Sequence, residues 1–299
     1  MKIDRRLALV ALLCALAVSS AVAQTGFTFL EIPVGARESA LGGSGVALVT
    51  GPTSAAHNPA ALALLRRTSF VANSTRHFGD TRAQYFALGI RTKRLYIAPH
   101  FWGTRVPDIE YRTQPTQEPI SEFDATYAAS GVSVGCQPLP KLSAGLTLRY
   151  LYSDIQFETS EGWSSDAGLL WSTPVEQLRV GAAVNHLGNV NAYASEDVTL
   201  PTTLRIGGAW QQPLGQAGAL LVTAEGAAVQ DQTPHFSGGF EFQAPEYLAL
   251  RVGYVAGLDT QGVAFGAGLH FKRFRVDYAF LPYKEELGEG HRVGLGIDF

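Results

Sequence analysis

The chain has 299 residues, with 23 Lys and Arg against 26 Asp and Glu and a net charge of -3, so it carries no basic footprint for nucleic acid. Charged residues are only 16%, while Gly reaches 32 and Met is 1. Low charge beside abundant Gly is unusual for a water-soluble domain; it suits strands with one face in lipid and one in a crowded lumen.

Lys2, Arg5 and Arg6 form a positive start, Leu7 to Val18 is almost purely apolar, and Ala21-Val22-Ala23 is a small-x-small cleavage site. Residues 1–23 therefore read as a signal peptide for export, with a mature start at Gln24. The apolar run is too short to span a bilayer as a helix. Leu13 before Cys14 is too bulky for lipoprotein processing. With Cys14 removed, Cys136 stands alone and no intramolecular disulfide can form. An exported chain without a staple needs another source of stability, which a large closed sheet would supply.

Residues 24–66 do not alternate. Small residues dominate, a short helical turn around Arg37 to Leu41 is broken by Gly42-Gly43, and Asn58-Pro59 supplies an N-cap and a first helical residue for Ala60 to Leu65. Two short, slim elements joined by a loop suit insertion into a confined lumen. This segment is expected to be a hatch.

From Arg67 onward the period is two. Leu142, Ala144, Leu146, Leu148, Tyr150 and Tyr152 fall on one face, with Ser143, Gly145, Thr147 and Arg149 on the other. Fourteen such segments are expected near 68–78, 81–91, 94–103, 123–136, 141–156, 160–173, 177–188, 201–213, 218–229, 234–243, 246–256, 261–271, 273–283 and 290–299. The fold class is thus all-β: a transmembrane antiparallel barrel over 67–299 with the hatch inside. Connections after even segments are short, and the long ones (104–122, 189–200, 284–289) all follow odd segments, as in outer-membrane barrels. The alternating end Val293, Leu295, Ile297, Phe299 resembles the terminal signal read by the outer-membrane barrel-assembly machinery.

A soluble β-sandwich would also alternate, but its apolar face would be a shared core. Here the other face holds Gly, Ser, Thr and charges: Arg149, Arg179, Arg205, Glu225, Glu241, Arg251, Arg275 and Asp277. In a narrow lumen these must pair with one another or with the hatch, because unpaired buried charges cost too much. A path for a solute is the other role open to them.

Phe29-Leu30-Glu31-Ile32-Pro33-Val34-Gly35-Ala36-Arg37-Glu38-Ser39-Ala40-Leu41-Gly42-Gly43, followed by Asn58-Pro59-Ala60-Ala61-Leu62, resembles the N-terminal signature of the PorV/PorQ family, within the FadL-like outer-membrane proteins. The resemblance implies a barrel of fourteen strands with a lumenal hatch, in which Arg37 and Asn58 are structural. It also implies two activities. PorV and PorQ proteins are secretion-associated components of the type IX kind, with secretion-system or surface proteins as partners. FadL-like proteins move fatty acids and other hydrophobic solutes through the hatch and out sideways through the wall. The first is the leading expectation and the second the alternative, both for a monomeric barrel in outer-membrane lipid without cofactors.

Gly131-Val132-Ser133-Val134-Gly135 matches a hydrolase nucleophile pattern, but it lies in an alternating strand with no following helix, so a catalytic role is not expected. The seven His are scattered without the spacing of a helical metal site. Trp102, Trp163, Trp171 and Trp210 are expected in interfacial girdles, with a stacking role for Trp102 only if it faces the lumen.

Overall fold

The computed structural model describes residues 24–114, 118–192, 198–245 and 247–299. The expected signal peptide lies outside the described residues, as do the tips of two long connections.

Fourteen antiparallel strands close into a barrel. In chain order they are β1 (Ser69–Arg76), β2 (Arg82–Arg91), β3 (Leu95–Tyr111), β4 (Ser121–Leu139), β5 (Leu142–Ile155), β6 (Glu158–Ser172) and β7 (Leu178–Val190). Then come β8 (Thr203–Pro213), β9 (Ala219–Val229), β10 (His235–Gln243), β11 (Leu248–Ala256), β12 (Val263–Phe271), β13 (Phe274–Pro282) and β14 (Glu289–Asp298). Each pairs with its neighbours in sequence, and β14 closes on β1 from His291 opposite Arg76 to Asp298 opposite Ser69. Closure leaves no edge, the condition for a sheet to sit in lipid. Leu248, Leu250, Val252 and Tyr254 of β11 face outward, while Ala249 and Arg251 are buried in the lumen.

Two expectations need correction. The 104–122 connection is largely strand: β3 and β4 stay paired as far as Tyr111 opposite Ser121, well beyond Arg82 opposite Arg105, where β2 begins. Above that level both faces meet water, so the apolar period that marks a strand disappears. A register shift between Val106 and Ile109, with Asp108 at φ 56°, accommodates Pro107, which has no N–H to offer. Second, Pro59–Leu64 is a 3-10 helix rather than an α-helix; Asn58 Oδ1 caps it by accepting from Ala60 N (3.0 Å).

The hatch runs through the lumen as three further short elements: 3-10 turns at Thr28–Glu31 and Pro52–Ala56, and α1 (Ala36–Ala40). Gly42 (φ 72°) and Gly43 (φ 85°) end α1 in the left-handed region, and Gly43 N donates to Glu38 O (2.9 Å). At the outer end, Gln24–Thr25 forms a parallel bridge with Val198–Thr199.

The wall makes room for the hatch with glycine. A Cβ on Gly145 would lie 2.2 Å from the Pro59 carbonyl carbon, one on Gly168 2.0 Å from Asn58 Oδ1, and one on Gly253 2.1 Å from Gly42 N. Gly181 and Gly266 are covered in the same way by Val46 and Ala40. The lumenal glycines of successive strands therefore form a collar against which hatch backbone packs directly.

Candidate functional site: the vestibule above the hatch

Polar clamps fix the hatch to the wall. Arg37 on α1 donates from Nε (2.7 Å) and Nη2 (2.6 Å) to the Glu241 carboxylate on β10. Arg251 on β11 donates to the same carboxylate (2.5 Å) and to Asp277 on β13 (2.7 Å), and Arg275 stands 3.4 Å from Asp277. Glu225 on β9 accepts from Gly45 N (2.7 Å), Val46 N (2.8 Å) and Arg205 on β8 (2.8 Å). Asn58 Nδ2 donates to Val46 O (2.8 Å) inside the hatch and to Leu169 O (3.0 Å) on β6. Pro33, Gly35, Ala36, Leu41 and Ala60 complete the tight hatch core, and all but Pro33 are buried.

The lumen charges thus divide. Glu225, Glu241, Arg205, Arg251, Arg275 and Asp277 belong to clamps around the hatch. Arg149 instead pairs with Asp166 on β6 and touches His100 Nε2 (3.2 Å). Arg179 makes no ion pair among the described residues, and its Nε has no hydrogen-bond partner. Asp166, and Arg292 of β14, which donates to Pro33 O and Ser39 Oγ, escaped the sequence reading. Both lie on strand faces whose alternation is blurred by neighbouring Ser and Gly.

Above the clamps is a cavity of about 540 Å³, open towards the rim that carries the longer connections. Phe29, Ile32 and Pro33 of the hatch form its floor, with Tyr127, Val106, Val229, Val255 and Leu258 on its walls. Phe29 stacks on Tyr127 at 5.4 Å and meets Trp102 edge-on at 5.3 Å. This corrects the girdle expectation for Trp102, which faces the lumen and is only 3% exposed; Trp163, Trp171 and Trp210 face outward. The ring arrangement is one that aromatic pairs favour. Polar side chains line the cavity about as much as apolar ones: Thr28, Thr104, Thr203, Ser237 and Gln261 stand among the apolar groups, and the charged or titratable ones are Glu31, which accepts from Gln232 (2.9 Å), with Arg205, His77 and His235. Burial pushes the Glu31 carboxyl above its ordinary value, opposed by the Gln232 amide and by Arg205.

Below the vestibule, towards the short β2–β3 turn and level with Ala55 and Leu62 of the hatch, the wall has a weak seam. The β2–β3 partners lapse after Ala87 opposite His100 and resume at Ile90 opposite Ile97, leaving Leu88 and Gly89 facing Ala98 and Pro99 without bridges. Pro99 removes a ladder donor in mid-strand.

The Gly131-x-Ser133-x-Gly135 match lies within β4, where Ser133 Oγ shares a hydrogen bond with Thr147 Oγ1 (2.8 Å) rather than with a His. Among the described residues, no group of three or more His, Cys, Asp or Glu is arranged to hold a metal ion. Phe299 is exposed, its N–H bonded to Thr68 O (2.8 Å).

No protein-family model matches the chain, and no curated protein sequence matches it. Solved structures do. The toluene transporter TbuX of Ralstonia pickettii superposes with a TM-score of 0.66 at 14% identity, covering 89% of this chain and 98% of that one. The monoaromatic hydrocarbon channel CymD gives 0.62 at 14% identity, covering 90% and 98%. The toluene transporter TodX of Pseudomonas putida gives 0.58 at 12% identity, covering 87% and 95%. At such identities the likeness is one of fold: a closed barrel of fourteen antiparallel strands, the architecture of an outer-membrane barrel.

Proposed function

We propose that this chain is a non-enzymatic outer-membrane channel that admits small hydrophobic solutes, aromatic ones foremost. The observation that carries the reading is the aromatic-floored vestibule of about 540 Å³, closed beneath by a hatch bonded to the wall. A cavity of this size is usual for a small-molecule site, and its apolar surface is gathered at Phe29, Ile32, Val106, Tyr127, Val229 and Val255. A solute would enter from the rim, lie against Phe29 and Tyr127, and leave through the β2–β3 seam at Pro99 into lipid. The structurally similar proteins are described as toluene transporters and a monoaromatic hydrocarbon channel, which favours the same reading.

The secretion-associated role implied by the PorV/PorQ resemblance is the second reading, and the structure gives it less support. The residues that carry the resemblance turn inward: Arg37 to Glu241, Gly42 to the Tyr254 backbone, Asn58 to Leu169. They shape a hatch, and what the motif leaves accessible is the vestibule floor at Phe29, Ile32 and Pro33.

Binding of toluene, and of a fatty acid such as laurate, to the detergent-purified protein tests the proposal. Trp102 fluorescence provides the signal, since its ring touches Phe29. Saturable binding weakened about tenfold or more by Phe29→Ala supports the channel. Absence of binding for both solutes, with a stable protein partner in the same preparation, supports the secretion role instead.

A further inference from the structure

The rim with short turns carries a one-sided arc of exposed cations. Arg66 and Arg67 lead into β1, Arg91, Lys93 and Arg94 lie at the β2–β3 turn, and Lys141 at the β4–β5 turn; all are exposed. Lys272 and Arg273 form the exposed β12–β13 turn. In the closed barrel these turns follow one another, because β14 pairs with β1. Among the described residues of this arc, the acidic side chain at the rim is the half-buried Asp298. The opposite rim is net acidic: Asp80, Glu110, Glu122, Asp124, Glu158, Glu285 and Glu286 outnumber Arg76, Arg82, Arg105, Arg112 and Lys284. A chain of net charge -3 has thus sorted its charges by end.

The cations stand directly on lipid-facing apolar surface. Phe70, Leu88, Ile90 and Leu95 point outward just beyond the Arg66–Arg94 group. Lys272 Nζ lies 5.2 Å from the Phe271 ring centroid and the Arg273 guanidinium 5.3 Å from that of Phe274; both rings face outward. Long cationic side chains over outward aromatics, at the boundary of an apolar belt, sit at headgroup level. Guanidinium forks match phosphate oxygens, and the adjoining apolar stripe accepts acyl chains.

We propose that this arc binds anionic phospholipids of the leaflet it faces, fixing the depth and the tilt of the barrel on one side. The proposal is independent of the transport reading.

The test is native mass spectrometry of the full chain in neutral detergent, with equimolar phosphatidylglycerol and phosphatidylcholine of matched acyl chains. Near-surface cations contribute about fivefold each to attraction for anionic lipid, so retention of phosphatidylglycerol should exceed phosphatidylcholine by roughly tenfold or more. The preference should shrink at about 0.5 M salt, where exposed charges are screened. The variant Lys93→Gln/Arg94→Gln/Lys272→Gln/Arg273→Gln should lose most of it while keeping the heat-modifiable migration of a folded barrel. Should that variant not fold, the two double variants Lys93→Gln/Arg94→Gln and Lys272→Gln/Arg273→Gln serve, each losing part of the preference. Equal retention of both lipids, an undiminished preference in the folded variants, or displacement of the lipid by millimolar inorganic phosphate would overturn the proposal.

Discussion

Arg37 of the hatch and Glu241 of the wall meet in a two-pronged ion pair inside the barrel, and the same carboxylate also accepts from Arg251. One acid therefore serves two guanidinium groups, and its removal strands Arg37 and leaves Arg251 with Asp277 alone. Breaking a buried pair by deleting one partner costs about 3–5 kcal/mol, mostly through the charge left behind. Glu241→Ala should lower the denaturant midpoint of the barrel. It should also loosen the hatch, seen as faster cleavage of residues 26–65 by added protease.

The glycine collar predicts a different failure. Gly145→Val and Gly253→Val each put side-chain atoms where hatch backbone lies, 2.2 and 2.1 Å from Pro59 and Gly42 at the Cβ alone. Overpacking of this kind costs roughly 1–3 kcal/mol when neighbours can shift, and more against backbone. The strands themselves should still pair. Folded migration on gels should persist while the hatch becomes protease-sensitive; a protected hatch in both variants would contradict the packing described.

Pro99 tests the seam. Pro99→Val returns a backbone donor opposite Leu88 and Gly89, so the β2–β3 ladder should zip through. Hydrogen exchange across Leu88 to Pro99 should slow. If solute leaves sideways here, release into lipid should fall severalfold with vestibule binding unchanged.

His77 sets a pH dependence. It lies in the rim turn between β1 and β2, hydrogen-bonded to the Tyr283 hydroxyl. Burial, and then the nearby Arg292, hold its imidazole down to about 3 from an ordinary 6.5. Between those values the unfolded chain takes up a proton that the folded one refuses. Stability from this group is therefore complete above about pH 6.5 and declines as pH falls towards 3. The thermal midpoint of the wild type should drop more steeply from pH 7 to pH 4 than that of His77→Gln. Parallel profiles would show that His77 is not the group responsible.

The barrel was legible in the sequence because lipid on one face and lumen on the other enforce a period of two, and because loop lengths sort by parity. Its breakdown at 104–122 was not legible: a hairpin wetted on both faces has no apolar period, so β3 and β4 read shorter than they are. Trp102 reads like its girdle companions by composition, and only the hatch, through Phe29, turns it into part of a lumenal floor. The lumen face of Arg149 follows from alternation, but its partner Asp166 lies on the next strand and had to be seen in the closed sheet. The hatch was readable as slim and glycine-broken; that its path matches a collar of wall glycines depends on registers that sequence does not fix.

The most direct test of the central claim is uptake of labelled toluene by cells producing the wild type, against cells producing Phe29→Ala/Tyr127→Ala and cells carrying an empty vector. The account predicts saturable uptake above the vector level with the wild type, falling about tenfold or more when the two vestibule rings are removed while the barrel remains in the outer membrane. Uptake no faster than the vector control, at equal barrel abundance, would contradict it.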